Sequence, residues 1–210
     1  DSIHFYEPRA GHGLPHDPLM AIVSPRPIGW ISTVSASGIV NLAPYSFFNI
    51  FSSRPPVVGF ASSGLKDSRR NIEASGEFVC NLATADLREE MNLTSAELPH
   101  GESEMALAGL HAEPGVLVKP PRVRRSPCAL ECRYVETVAL RDAKGATIDN
   151  WLVLGEVIGV HVDERFLRAG RLDITLTQNL ARCGYQDYAS VEHLRAMPRP
   201  DIHTMQRTRT

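Results

Sequence analysis

Short β-rich runs separated by turn residues dominate the pattern of apolar and polar positions along this chain. The first is 27-PIGWISTVSASGIVNLAPYS-46, two such runs around Ser35-Ala36-Ser37-Gly38. Glycine there permits the positive φ of a tight turn, so the pattern predicts a hairpin. After Phe47 to Phe51 comes Ser53-Arg54-Pro55-Pro56, and paired prolines cannot continue a central strand or helix. A new strand is expected over 57-VVGFASS-63.

With Asp67 or Ser68 as N-cap, the following RRNIEASG predicts a short helix stopped by Gly76, and EFVCNLAT returns to strand spacing. Helix formers fill Asp86 to about Ala96. The next segment, 98-LPHGESEMALAGLHAEPGV-116, is broken by Gly and Pro and is expected to cover one end of the fold as an insertion or lid. Two long β-rich stretches, about 122–140 and 151–163, are joined by RDAKGATIDN and predict a second long hairpin.

Hairpin links and little strand-helix-strand alternation favour a closed or nearly closed antiparallel barrel over a doubly wound sheet. No Gly-x-Gly-x-x-Gly occurs; Gly11-His12-Gly13 lacks the third glycine and follows no strand. The predicted organisation is an N-terminal arm over 1–18, rich in Gly, Pro and His, one domain over 19–195, and a loose tail over 196–210.

Composition narrows the function classes. A chain of 210 residues, 43% hydrophobic and 22% charged, is long enough for one substantial core. A formal net charge of −2 gives no general field for nucleic acid. No apolar run approaches the length of a membrane helix and the first residues lack a signal-peptide pattern, so a soluble, cytoplasmic protein is expected. Cys80, Cys128, Cys132 and Cys183 are too sparse for a disulfide framework, form no Cys-x-x-Cys pair, and read as buried thiols.

Two stretches carry candidate chemistry. In 61-ASSGLKDSRRN-71, Lys66 supplies a point charge, Ser62, Ser63 and Ser68 supply hydroxyls, and the helix after Asp67 or Ser68 supplies exposed N–H groups. This set suits a phosphate monoester, although the spacing is not that of a P-loop, and a plain helix cap with a solvated lysine remains the alternative. In 41-NLAPYSFFN-49, polar groups stand beside two phenylalanines, which suits a flat heterocycle as well as it suits ordinary core. Trp30 carries the same ambiguity.

Other constellations are weaker. No Gly-x-Ser-x-Gly elbow supports a hydrolase triad. His4, His12 and His16 read as part of the arm rather than as metal ligands, so no metal is expected. Arg122, Arg124 and Arg125 read as a solvated strand face.

Taken together, 25-PRPIGWIST-33, 41-NLAPYSFF-48, 66-KDSRRNIE-73, 77-EFVCNL-82 and 155-GEVIGVHVDE-164 resemble the flavin reductase-like family of FMN-binding split barrels. The resemblance runs in order from about Pro15 to Tyr188. It implies a mainly β fold, a six-stranded antiparallel split β-barrel of Greek-key type with short flanking helices. It also implies a homodimer with FMN near the subunit interface. On this resemblance the phosphate belongs to FMN, with Lys66, Asp67 and Ser68 beside it and Ser62 and Ser63 toward the ribityl chain. Asn41, Ala43, Pro44, Tyr45 and Ser46 would border the isoalloxazine, and Trp30 or Phe47 would give it an apolar face. The implied activity is hydride transfer from NAD(P)H, a transient donor, to FMN, with reduced flavin or electrons passed to a partner such as a monooxygenase. No residue is assigned as acid or base. Many short members carry Gly-Asp-His before a strand where this chain reads Ile148-Asp149-Asn150. That difference keeps an FMN-binding electron carrier as the alternative.

Overall fold

The computed structural model describes residues 2–99 and 102–200. Among these, seven strands form one antiparallel sheet. They are β1 Gly29–Val34, β2 Val40–Tyr45, β3 Phe48–Ser53, β4 Pro56–Ser62, β5 Glu77–Leu82, β6 Cys128–Arg141 and β7 Thr147–Val162. Their spatial order is β2-β1-β5-β6-β7-β4-β3. The expected count was six. The extra member is β3, which folds back on β4 through Arg54-Pro55 with a register shift between Ile50 and Ser52. Both prolines fall where no ladder N–H is required, Pro55 in the turn and Pro56 at the first residue of β4.

Side chains at the two edges roll this sheet into an open barrel. A Cβ on Gly29 would lie 2.5 Å from the Phe48 ring, so only glycine lets β3 approach β1 this closely. The Tyr45 and Phe60 rings, from β2 and β4, stand 4.4 Å apart between centroids. Inside lie Ile31, Val58, Phe60, Phe78, Cys132 and Val153. The other face of β1 and β2 buries Trp30 and Leu42 against Leu87, Met91, Met105 and Val123. Because alternate strand residues face opposite sides, Ile31 and Trp30 belong to different cores, and both are 0% exposed.

Trp30 is therefore not the apolar face of a ligand site. It is enclosed in the outer core, with its indole Nε1 donating to Thr94 Oγ1 at 2.9 Å. The covering layer comes from far along the chain.

Helix α1, Asp67–Ser75, has Lys66 as its N-cap, one residue before Asp67 and two before Ser68, the two caps read from the sequence. Arg70 N bonds to Lys66 O at 3.0 Å, which closes the first turn on Lys66, and the Asp67 carboxylate pairs with Arg70 at 2.6 Å. Gly76 ends the helix at φ 74°, as its sequence position implied. The expected helix over 86–96 is a 3-10 turn, Ala85–Leu87, running into α2, Arg88–Leu93.

Segment 98–116, of which His100 and Gly101 lie outside the described residues, packs on the outer face of β2. Its short helix Glu104–Leu107 puts Met105 into the outer core, and the Glu104 carboxylate accepts from Leu42 N at 3.2 Å. Burial pushes the Glu104 carboxyl above its ordinary value. A carboxyl raised in this way contributes stability that is full below its unfolded value and is lost as pH rises through the folded one. Stability of wild type relative to Glu104→Gln should accordingly fall as pH rises from about 4 toward neutrality, as urea titrations at several pH values would show.

Glu131, near the start of β6, is 0% exposed. It accepts from Val116 N at 2.7 Å and Leu117 N at 2.6 Å and lies 2.5 Å from His161 Nε2. Burial raises this carboxyl, but these bonds outweigh it and hold the group below its ordinary value. The arginines read as a bare solvated face are in part paired, Arg124 with Glu113 at 2.8 Å and Arg125 with Glu90. All four cysteines are free; Cys80 and Cys132 are buried, whereas Cys128 and Cys183 are only half-buried. In the arm, His4 Nε2 contacts the His12 carbonyl at 2.7 Å. Residues 201–210 of the expected tail lie outside the described residues. No described helix is long and apolar enough to cross a membrane.

Candidate functional site

Helix α1 is held against the barrel by three residues at i, i+3 and i+4, which share one helix face. These are Ser68, Asn71 and Ile72, all buried. Ser68 Oγ accepts from Asn41 Nδ2 at 2.9 Å, and Asn71 Nδ2 donates to Thr33 Oγ1 at 3.0 Å. Asn41 and Thr33 are themselves partners across β1 and β2. The first turn of α1 is thus fixed beside the start of β2. Lys66 occupies the N-cap and makes no side-chain capping bond, so no side-chain oxygen of that residue covers the first-turn N–H groups.

Tyr45 lies between the two candidate stretches. Burial raises its phenol, outweighing the lowering effect of the Ser68 and Ser62 hydroxyls, so the group is neutral at physiological pH. Ser62 and Ser68 come from either side of the 63–66 loop.

The loop is braced from the long hairpin. Trp151 of β7 lies opposite Ser62 of β4, which carries Asp149 and Asn150 alongside the loop. Asp149 Oδ1 accepts from Gly64 N at 3.1 Å and from Trp151 Nε1 at 3.4 Å. The Arg69 guanidinium sits 4.0 Å from the Trp151 ring centroid and donates to Gly64 O at 3.3 Å. Gly64 takes φ 65°, a left-handed conformation that disfavours a side chain.

Two adjoining cavities result. One of about 330 Å³ runs between Asn41, Ala43, the 65–70 turn and the wall 94–98. One of about 230 Å³ runs from Pro44–Phe47 to Ala61–Ser63 and Asn150. They share Pro44, Tyr45 and Lys66. Of the predicted residues, Asn41, Ala43, Pro44, Tyr45, Lys66, Asp67 and Ser68 line the first. Ser46, Phe47, Ser62 and Ser63 line the second. Trp30 alone is elsewhere. Phe47 is exposed, with Arg26 lying 5.7 Å from its ring centroid. Lys66 is about half exposed, its Nζ 4.0 Å from Glu97.

Sequence reading missed Asp149 as a brace, Arg70, Glu104 and the wall 94–98. Asn150 stood out only as a difference from the family pattern. Its place opposite the loop depends on the β4/β7 register, for which no local signal exists.

The family model described as flavin reductase like domain matches residues 20–175. The chain belongs to this family. An uncharacterized protein of Deinococcus radiodurans is 40% identical over 155 residues, 70% of this chain and 65% of its own length. The chain thus spans just under two thirds of that relative. Nitrilotriacetate monooxygenase component B from Bacillus cereus superposes with a TM-score of 0.84 at 25% identity, covering 94% of this chain and 100% of that one. A split barrel domain structure from Shewanella frigidimarina shares the fold, with TM-score 0.81, 22% identity and coverage of 95% and 100%. The rolled sheet is the split barrel of that structure.

Proposed function

We propose that the protein is an FMN oxidoreductase, holding FMN across the two adjoining cavities and taking hydride from NAD(P)H. The observation that carries this reading is the meeting of the 62–68 loop with strand residues 41–47 around two adjoining cavities inside the family-matched region. The donor set fits the cofactor. Lys66, the Ser63 hydroxyl and the first turn of α1 supply cationic and N–H groups for a phosphate, while Pro44 to Phe47 offer a backbone rim and an apolar ring for a flat heterocycle. Held there, FMN would supply the hydride and electron-transfer chemistry.

The chain's own share is positional. Ser68, 1% exposed, holds Asn41 in place, and the neutral Tyr45 phenol adds no charge near the ring. Asp149 fixes the loop: Asp149→Ala should remove a net bond worth about 1 kcal/mol, weakening FMN binding by roughly fivefold. Fluorescence titration would read this, and recovery in Asp149→Asn, which still accepts from Gly64 N, would separate bracing from general damage.

A homodimer is part of the proposal. Ile22, Val23, Phe47 and Phe51 are exposed together beside the cleft, more apolar surface than an isolated barrel edge favours. By analogy with the Bacillus monooxygenase component, the electrons would pass to a partner oxygenase. Asn150, which lines the cleft, favours a second reading: an FMN-binding electron carrier with little NAD(P)H turnover. Anaerobic titration of the FMN-loaded protein with NADH and NADPH decides. Bleaching of the flavin by either supports the reductase, and inertness toward both transfers the assignment to the carrier. Sedimentation of the same sample should give the mass of two chains.

A further inference from the structure

A larger cavity, about 690 Å³, opens on the far side of Pro44 and Ser46. With the proposed FMN cavities it shares only Pro44, Ser46 and Ser95 of the 94–98 wall. Its floor is apolar, made by Ile28, Met91 and Leu180, all buried. Its rim carries two cations from unrelated parts of the chain, Arg88 of α2 and Arg182 of the strand Leu180–Gly184. Arg182 lies 4.6 Å from the Tyr188 ring centroid and donates to the Tyr185 carbonyl. Arg88 donates to Ala85 O at 2.9 Å, and its Nε stands 3.3 Å from Glu89. A guanidinium has five N–H donors in a fork that matches an oxyanion, so both retain capacity beyond these bonds.

We infer that this cavity binds a small organic anion, with a flat apolar body on the Ile28, Met91 and Leu180 floor and its oxyanion between Arg88 and Arg182. The volume lies within the roughly 300–1,000 Å³ of small-molecule sites, and around the apolar floor the lining is mostly polar, with Asn92, Ser95, Gln186 and the Glu89 carboxylate beside the two arginines. Sharing Pro44 and Ser46 with the cleft places the occupant next to the ring proposed above. The inference rests on the FMN reading only for that adjacency; recognition of the anion is a property of the two arginines. The oxyanion has two sources, the carboxylate of a free aromatic acid or a phosphate of the nicotinamide dinucleotide.

Calorimetric titration of FMN-loaded protein with benzoate and, separately, with NADH under anaerobic conditions tests the site. Wild type, Arg88→Gln and Arg182→Gln are compared, with the FMN dissociation constant measured for each. Benzoate affinity is expected to fall about tenfold or more in both variants, as loss of a charge-assisted bond requires. The FMN constant should be unchanged in Arg88→Gln, whose side chain is mostly exposed and whose loss leaves the fold intact. If only NADH shows the arginine dependence, the anion is the dinucleotide's and the site stands. Unchanged affinity for both ligands in both variants overturns it. Arginine-dependent benzoate binding by a protein that takes up no FMN would retain this site and discard the flavin reading instead.

Discussion

Replacing Lys66 by alanine is expected to raise the FMN dissociation constant roughly 10- to 150-fold, the equivalent of one hydrogen bond to a charged group at about 1.5–3 kcal/mol. Lys66 is half exposed, so screening should place the result near the lower end at physiological salt and higher in dilute buffer. Riboflavin has no phosphate, and its affinity should stay within about twofold of wild type. Fluorescence quenching with both flavins provides the comparison. Equal FMN affinity in wild type and Lys66→Ala would remove the phosphate assignment, while parallel losses for both flavins would point to a disturbed loop.

The second large effect concerns Trp30. Trp30→Ala should cost about 3–5 kcal/mol of stability, the range for removing a large aromatic from a packed core. It leaves a void among Leu42, Leu87, Met91 and Met105 and deprives Thr94 Oγ1 of its indole donor. Urea unfolding would register the loss, while FMN affinity of the folded fraction stays close to wild type. Trp30→Phe keeps most of the volume and isolates the hydrogen bond, at about 1 kcal/mol. A variant that keeps its stability but loses FMN would return Trp30 to the ligand site.

These two residues show where sequence reading succeeds and where it stops. The hairpin turn at Gly38, with φ 83°, and the helix stop at Gly76 were legible because glycine conformation is a local property. The 62–68 loop and the 41–47 strand were legible as chemistry, since hydroxyls, a lysine and aromatic neighbours announce their own capacities. Trp30 was not. Alternation shows that Trp30 and Ile31 face opposite sides, yet whether the Trp30 side is covered depends on Leu87, Met91 and Met105, more than fifty residues away. Asp149 and Asn150 were opaque for the same reason, since strand register across β4 and β7 sets their position. The start of α1 was misjudged by one or two residues because Asp67 and Ser68 are both good caps in isolation, and the Arg70–Asp67 pair favours Asp67 inside the helix.

The buried Glu131 carboxylate has a consequence for the timing of backbone motion. Val116 and Leu117 have exposed side chains and sit in a surface loop, a setting in which amide hydrogens ordinarily exchange with solvent quickly. Their N–H groups, however, are bonded to an enclosed carboxylate near the open end of the long hairpin, where Glu131 pairs with Gly159. Breaking either bond leaves a buried charge short of a donor, so the loop should not open by itself. In deuterium oxide these two amides should exchange together with those of β6 and β7, making a stretch of the surface report the slow opening of the barrel wall beneath it.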